Sequence, residues 1–286
     1  MAGTYAPGRP SEALVSWARR LAPLVRLAHR PRLSGVEHLP RERPYLLVAN
    51  HSGGMSMAEI TAFVVCYLEQ VGPERPLAGF AHHVIFALPP FSWLLRAVGA
   101  VPSTYAAAHA ALEAGVPLLV FPGGDHEATR PIWQAHRVDM AKRKGFLKIA
   151  RRAKVPIIPM GIRGSHFTVP ILARSKLLAT LLVIPRLVRV KRWPLTALGV
   201  IGVAAIALAP SLEWWMRVAL SWVWLSSPFM LVPVVPATIH MTIGPPIEPG
   251  ELFGGESDGD GDDHALGRAY ARVEGEIQSL VDRAAG

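Results

Sequence analysis

The sequence predicts an α/β domain: a mostly parallel sheet flanked by helices, with an N-terminal amphipathic helix and an apolar, membrane-associated helical hairpin. Three observations carry this expectation. From Tyr45 onward short apolar runs alternate with helical patterns, as strands and crossover helices do in a parallel sheet. Residues 11–30, "SEALVSWARRLAPLVRLAHR", repeat apolar residues at helical spacing. Two later stretches, 193–209 and 218–239, contain no charged residue.

In the first helix Leu14, Trp17, Leu21, Leu24 and Ala28 form one stripe, and Arg19, Arg20, Arg26 and Arg30 surround it. Pro23 predicts a kink. Such a helix suits a membrane interface, and equally a helix packed on the protein's own core. Strands are expected at 45–49, 77–81, 117–121, 156–162 and 237–243. Helices are expected near 57–69, 90–98, 104–114 and 142–153, with Gly115 as a C-terminal stop.

Residues 193–236 interrupt this alternation. Five of the eight tryptophans (Trp193, Trp214, Trp215, Trp222, Trp224) fall here, and tryptophan favours the membrane–water interface. The first run would be about 25 Å long as a helix, against roughly 30 Å of hydrocarbon. Pro228, Pro233 and Pro236 interrupt the second. The expectation is a re-entrant or interfacial hairpin rather than two spans, with a buried helical subdomain as the alternative. In the tail, "GGESDGDGDDH" (254–264) starts like a calcium loop. Asp263 stands where a glycine is needed and Ala269 where a glutamate is needed, so it reads as a solvated acidic loop before a last helix near 265–283. Three segments result: 1–43, an amphipathic membrane-interface segment; 44–247, the main domain with the hairpin inserted; and 248–286, the acidic loop and C-terminal helix.

A net charge of +9 favours a polyanionic partner. With 51% hydrophobic residues and no aromatic-rich nucleic-acid motif, an anionic membrane surface is expected and nucleic acid is not. The single cysteine, Cys66, cannot form an internal disulfide and reads as a core residue. "MAGTYAPGRP" has no apolar signal region, and Arg186, Arg189, Lys191 and Arg192 precede the hairpin. Both features predict a membrane-associated chain with its catalytic domain on the cytoplasmic face.

The chemistry centres on two glycine-marked corners that follow strands. One is Asn50-His51-Ser52-Gly53-Gly54; the other is "FPGGDHEATRP", Phe121 to Pro131. In an open parallel sheet, ligands gather at the carboxyl ends of the strands. That edge would bring His51 near Asp125, His126, Glu127 and Arg130. A histidine can take a proton from a hydroxyl near neutral pH. Glycines admit backbone N–H groups to an oxyanion, a carboxylate sets the imidazole tautomer, and an arginine binds an anion. The Walker phosphate-binding pattern is absent, because no lysine follows the glycines at the required spacing.

"NHSGG", "GAVPSTYAAAHAALEAG" (99–115), "LLVFPGGDHEATRP" (118–131) and "KVPIIPMGI" (154–162) together resemble the four ordered blocks of the glycerolipid acyltransferase family. The likeness is to its "FPGG" branch, which shades toward diacylglycerol acyltransferases, and covers roughly Pro44 to Ile247. It implies transfer of a fatty acyl group from a thioester, usually acyl-CoA, to a lipid hydroxyl, with no metal and no bound cofactor. It implies that His51 is the general base. Donors near Gly123 and Gly124 would face the oxyanion, and Gly53, Gly54, Pro122, His126 and Arg130 would line the substrates.

Three departures from the family pattern matter. The aspartate usual five residues after the histidine is Ser56 here, and the nearest acid downstream is Glu59. The third block, often Phe-Pro-Glu-Gly-Thr-Arg, has Gly123 for the glutamate and His126 for the arginine, while acid reappears at Asp125 and Glu127. The second block lacks its usual arginine. The last two favour an acceptor without a phosphomonoester, although Arg130 can still serve a phosphate. The orienting acid for His51 stays open between Glu59, Asp125, Glu127 and none. The basic run Lys142–Lys154 reads either as a solvated helix face or as a surface for headgroups or the CoA phosphates. Two rivals remain: a catalytically silent lipid-binding or scaffold protein of the same fold, and a hydrolase using the same histidine with water. For the second, no Gly-x-Ser-x-Gly elbow follows any of the expected strands.

Overall fold

The computed structural model describes residues 7–54, 58–81, 86, 91–187, 192–254 and 262–284. Ser56, Arg189, Lys191 and most of the acidic loop lie outside them. The strands are β1 (Arg32–Ser34), β2 (Leu46–Ala49), β3 (Ala78–Ala81), β4 (Val101–Pro102), β5 (Leu118–Val120), β6 (Ile157–Arg163), β7 (Ile171–Ser175), β8 (Trp193–Thr196) and β9 (His240–Ile243). The helices are α1 (Glu12–His29), α2 (Ala58–Gln70), α3 (Phe91–Ala97), α4 (Tyr105–Glu113), α5 (Gly124–Ala128), α6 (Gly145–Ala153), α7 (Lys176–Leu181), α8 (Ile184–Leu187), α9 (Ala197–Leu208), α10 (Trp214–Ser226), α11 (Pro249–Phe253) and α12 (Asp262–Arg283).

Seven strands form one sheet in the order β1-β9-β6-β2-β5-β3-β4. Five of its neighbouring pairs are parallel, and β9 alone runs antiparallel to its neighbour β6. The central strands are apolar runs because both of their faces are covered. Leu46 and Val48 face one core with Leu118, Ile157, Phe146, Val273 and Ile277. Leu47 and Ala49 face the other with Ile158, Met160, Phe63 and the buried thiol of Cys66. The sheet draws on both flanks of the chain. β1 pairs with β9 at one edge, and α12 packs so closely on β6 that a Cβ at Gly161 would lie 2.8 Å from the Val281 amide nitrogen.

One expectation changes. The run 193–209 is not one helix. Trp193–Thr196 forms β8, which pairs antiparallel with β7 in a separate two-stranded ribbon. Helix α9 begins only where the Thr196 hydroxyl caps the Gly199 N–H at 2.9 Å. A helical hairpin, α9 and α10, does follow, and Trp224 and Leu225 of α10 pack against a small core of Ala179, Leu182, Trp193, Met230 and Leu231 from the neighbouring segments. Among the described residues no helix is long and apolar enough to cross a membrane. Helix α1, for its part, does not turn its apolar stripe to the core. It buries Ala22 and His29 and leaves Trp17 and Leu24 each 62% exposed.

Candidate active site

β2 and β5 are neighbours in parallel register, Val48 beside Val120, so the corners that follow them emerge side by side at the carboxyl edge. The first corner is tied down by backbone recognition. Asn50 donates from Nδ2 to the Ile162 carbonyl at 2.8 Å and accepts the Ile162 N–H at 2.6 Å. This side-chain amide extends the ladder to β6 by one step. Gly53 follows with φ +92°, and a Cβ there would sit 2.8 Å from the Ser165 carbonyl oxygen. Only glycine combines that conformation with that approach. Gly53 and Gly54 are buried parts of this turn.

His51 lies between two buried carboxylates. Its Nδ1 contacts Glu59 Oε1. Glu59 is in the first turn of α2, is 1% exposed, and accepts the Ser52 N–H at 3.1 Å. The helix N-terminus and the amide both favour its charge there. From the other corner, Glu127 accepts the His51 N–H at 2.8 Å on Oε2 and the Asp139 N–H at 3.0 Å on Oε1. The Phe121 ring covers the imidazole at 4.8 Å. Burial acts to lower the His51 pKa, but the charge and hydrogen bond of Glu59 and the charge of Glu127 outweigh it and hold it above the ordinary value. Burial pushes the Glu127 carboxyl up to about 7, against the pull of Arg130 and its two N–H donors.

Glu127 also explains the second corner. A Cβ at position 123 would collide with the Glu127 carboxylate and would lie 2.8 Å from its Cδ. The acid at 127 therefore requires glycine at 123. Arg143 grips the same turn from outside, donating to the Pro122 and Gly123 carbonyls at 3.2 and 3.1 Å.

The remaining expected residues are placed differently. Asp125 does not reach His51; its half-exposed carboxylate pairs with Arg143 at 2.9 Å, which holds its pKa low despite partial burial. It is removed as an orienting acid. His126 turns to Asp139, with Nε2 2.9 Å from Oδ2. The Gly124 N–H is committed to the Phe121 carbonyl at 3.1 Å, which leaves the Gly123 N–H, met by no described acceptor, as the free amide of the turn. Arg130 is fully buried 3.7 Å from Glu127, with no hydrogen-bond partner for its guanidinium among the described residues. Burial lowers its pKa, and it is not open to a phosphate.

Sequence reasoning missed Asn50, Ser52, Asp139 and the Ser165-His166 turn. Ser165 Oγ contacts Ser52 Oγ, and His166 is buried with its pKa pushed down to about 3 by burial and by Arg130. The signal was present for the last pair: Gly164-Ser165-His166 follows the 157–163 strand at the same carboxyl edge. Replacing Gly123 with alanine should displace Glu127 and with it the His51 backbone. The expected cost is about 1–3 kcal/mol, as for overpacking in a core, measured by urea unfolding and accompanied by loss of activity. A fully stable, active G123A protein would contradict this packing.

A family model described as Acyltransferase matches residues 30–163. An uncharacterised protein of Mycobacterium tuberculosis is 33% identical over 156 residues, covering 54% of this chain and 43% of that protein. A Bos taurus protein named as a DGAT1/2-independent enzyme synthesizing storage lipids is 32% identical over 132 residues, covering 46% of this chain and 38% of that protein. The matches thus span less than half the length of these relatives. The crystal structure of the 1-acyl-sn-glycerophosphate acyltransferase PlsC from Thermotoga maritima aligns with TM-score 0.49 and 18% identity over 94% of this chain and 78% of that one. Residues 30–163, which hold both corners, are thus the part of the chain that is similar to acyltransferases.

Proposed function

We propose that this protein transfers a fatty acyl group from an acyl thioester, acyl-CoA, to the hydroxyl of a neutral glycerolipid. The observation that carries the reading is the His51–Glu59 pair at the carboxyl edge of the sheet, with Glu59 buried and His51 partly open. With Nδ1–H donated to Glu59, the neutral ring keeps its lone pair on Nε2. That nitrogen takes the proton of the acceptor hydroxyl. The oxygen attacks the thioester carbonyl, and the tetrahedral oxyanion is met by the Gly123 N–H. Collapse breaks the C–S bond, the thiolate leaves, and the Nε2 proton returns to it. Glu59 stabilises the imidazolium in between, and no metal or bound cofactor takes part in this scheme.

A neutral acceptor is supported by two observations. Arg130, the cation of the "FPGG" corner that follows Glu127, is buried against that acid, and the second block has no arginine to receive a phosphate. The cattle relative's printed name, a storage-lipid enzyme, is in keeping with this. A silent scaffold would have no use for a buried carboxylate on the imidazole.

Replacing His51 with alanine should lower transfer by about 10²–10⁴ without unfolding the protein. In the wild type, only the deprotonated imidazole is active. Because its pKa is raised, kcat/KM should climb with pH along a limb lying above about 6.5. Glu59→Gln should lower kcat at least about tenfold and move that limb down. An unchanged rate and profile in E59Q would remove Glu59 from the mechanism.

The acceptor is tested by offering labelled acyl-CoA with diacylglycerol, monoacylglycerol or lysophosphatidate. Labelled product from the neutral lipids is expected. Preference for lysophosphatidate would refute the acceptor class, and free fatty acid alone would indicate hydrolysis.

A further inference from the structure

We infer that the insertion from Trp193 to Leu231 is a one-leaflet membrane anchor, which lies in the interface of an anionic bilayer and does not cross it. Three observations point to this occupant. The first is exposure without charge. Helix α9 has no charged residue and α10 only Arg217, yet Leu208 is 82%, Trp214 75% and Val218 62% exposed. An apolar surface on this scale is not left open to water without a function.

The second is how the polar groups of the insertion are used. In a lipid environment every backbone group must find a partner within the protein. Here the Trp193 indole N–H donates to the Leu225 carbonyl at 2.7 Å and the Trp224 indole to the Gly199 carbonyl at 3.1 Å. The Trp222 indole donates to the Leu181 carbonyl at 3.1 Å. Arg217, the only cation of the two helices, folds back to donate to the Ala209 carbonyl at 2.9 Å, at the C-terminus of α9. The three indole donors and one guanidinium nitrogen, which would otherwise seek water, are committed to main-chain carbonyls of the two helices, of the α9 C-cap and of α7, while Arg217 Nε is buried with no partner among the described residues.

The third is the charge at the base. Lys176, Arg186 and Arg192 are exposed where the insertion joins the domain. These cations complement anionic headgroups, whereas two copies docked face to face would bring them against each other. Geometry sets the depth. The helices have 12 and 13 residues, so each is about 18–20 Å long, too short for a core of about 30 Å. Both ends of the insertion return to the same domain, one through the β7–β8 ribbon and the other to β9, so it stays on one side. A flat placement also keeps Glu213, at the bend, within reach of water.

The test uses the full chain and vesicles of phosphatidylcholine, alone or with about a quarter phosphatidylglycerol, with binding read by flotation. No acyl donor is present, so the result is independent of the transfer reaction. Wild type should float with the mixed vesicles and bind less to the neutral ones. The double variant Trp214→Glu, Val218→Glu should bind at least about tenfold more weakly. Equal flotation of that variant would overturn the inference. So would a wild type that is dimeric without vesicles while the variant is monomeric, since the face would then join two copies. If the variant fails to fold, a mild one decides: Val218→Cys with Cys66→Ala, labelled with an environment-sensitive dye. Blue-shifted emission on vesicles is the expected result, and unchanged emission would overturn the inference. Lys176→Glu with Arg192→Glu should abolish the preference for the anionic vesicles; a retained preference would remove the basic base from the proposal.

Discussion

The carboxylate of Glu127 is the contact on which the site depends. It accepts the His51 N–H from one corner and the Asp139 N–H from the loop beyond the other, and Arg130 stands beside it in the interior. One fully buried group thus fastens together the strand ends of β2 and β5. Burying a carboxylate is costly unless its lone pairs are matched by donors. Two amide donors and a nearby guanidinium provide that match, while the pKa near 7 records how much burial still opposes the charge. The demand for space falls on Gly123, where any side chain would occupy the place of the acid.

This arrangement divides labour between two glutamates. Glu59 works on the ring and Glu127 on the main chain behind it. One contacts Nδ1 and lifts the affinity of the imidazole for a proton; the other holds the peptide from which the ring projects. Asn50 performs a similar service one residue earlier, by linking the corner to β6 through both atoms of its amide. A histidine held at its backbone, its ring nitrogen and its ring face by Phe121 has little freedom left, as the proposed role of a pre-organised proton acceptor requires.

The apolar parts outside the sheet follow a different logic. The sheet covers both faces with helices and closes two cores. Helix α1 and the α9–α10 hairpin each pack by a narrow face and leave large side chains outside. The segment between the hairpin and β9 is tied to α1 instead: the Ala237 N–H bonds to the Ala28 carbonyl at the end of α1, just beyond the exposed Val234 and Val235.

The amino-acid sequence by itself determined the alternation of strands and helices, the carboxyl-edge location of both corners and the candidate histidine. These depend on local periodicity and on glycine signals, which act over a few residues. It also determined that residues 193–239 would be apolar. It did not reveal β1, β4, β7 or β8: β1 holds a single apolar residue, β4 has only two residues, β7 carries Arg174, and β8 opens an uncharged run that reads as a helix. Nor could it choose among Glu59, Asp125 and Glu127, which are all acids within reach on paper. Only the tertiary structure decided that Asp125 turns outward to Arg143, that Arg130 is buried with Glu127, and that Glu59 meets the ring. The physical reason is that direction, unlike spacing, is set by packing. A short helix entered from a glycine turn sends neighbouring side chains to opposite sides, and which side is interior depends on strands and loops far away in the chain.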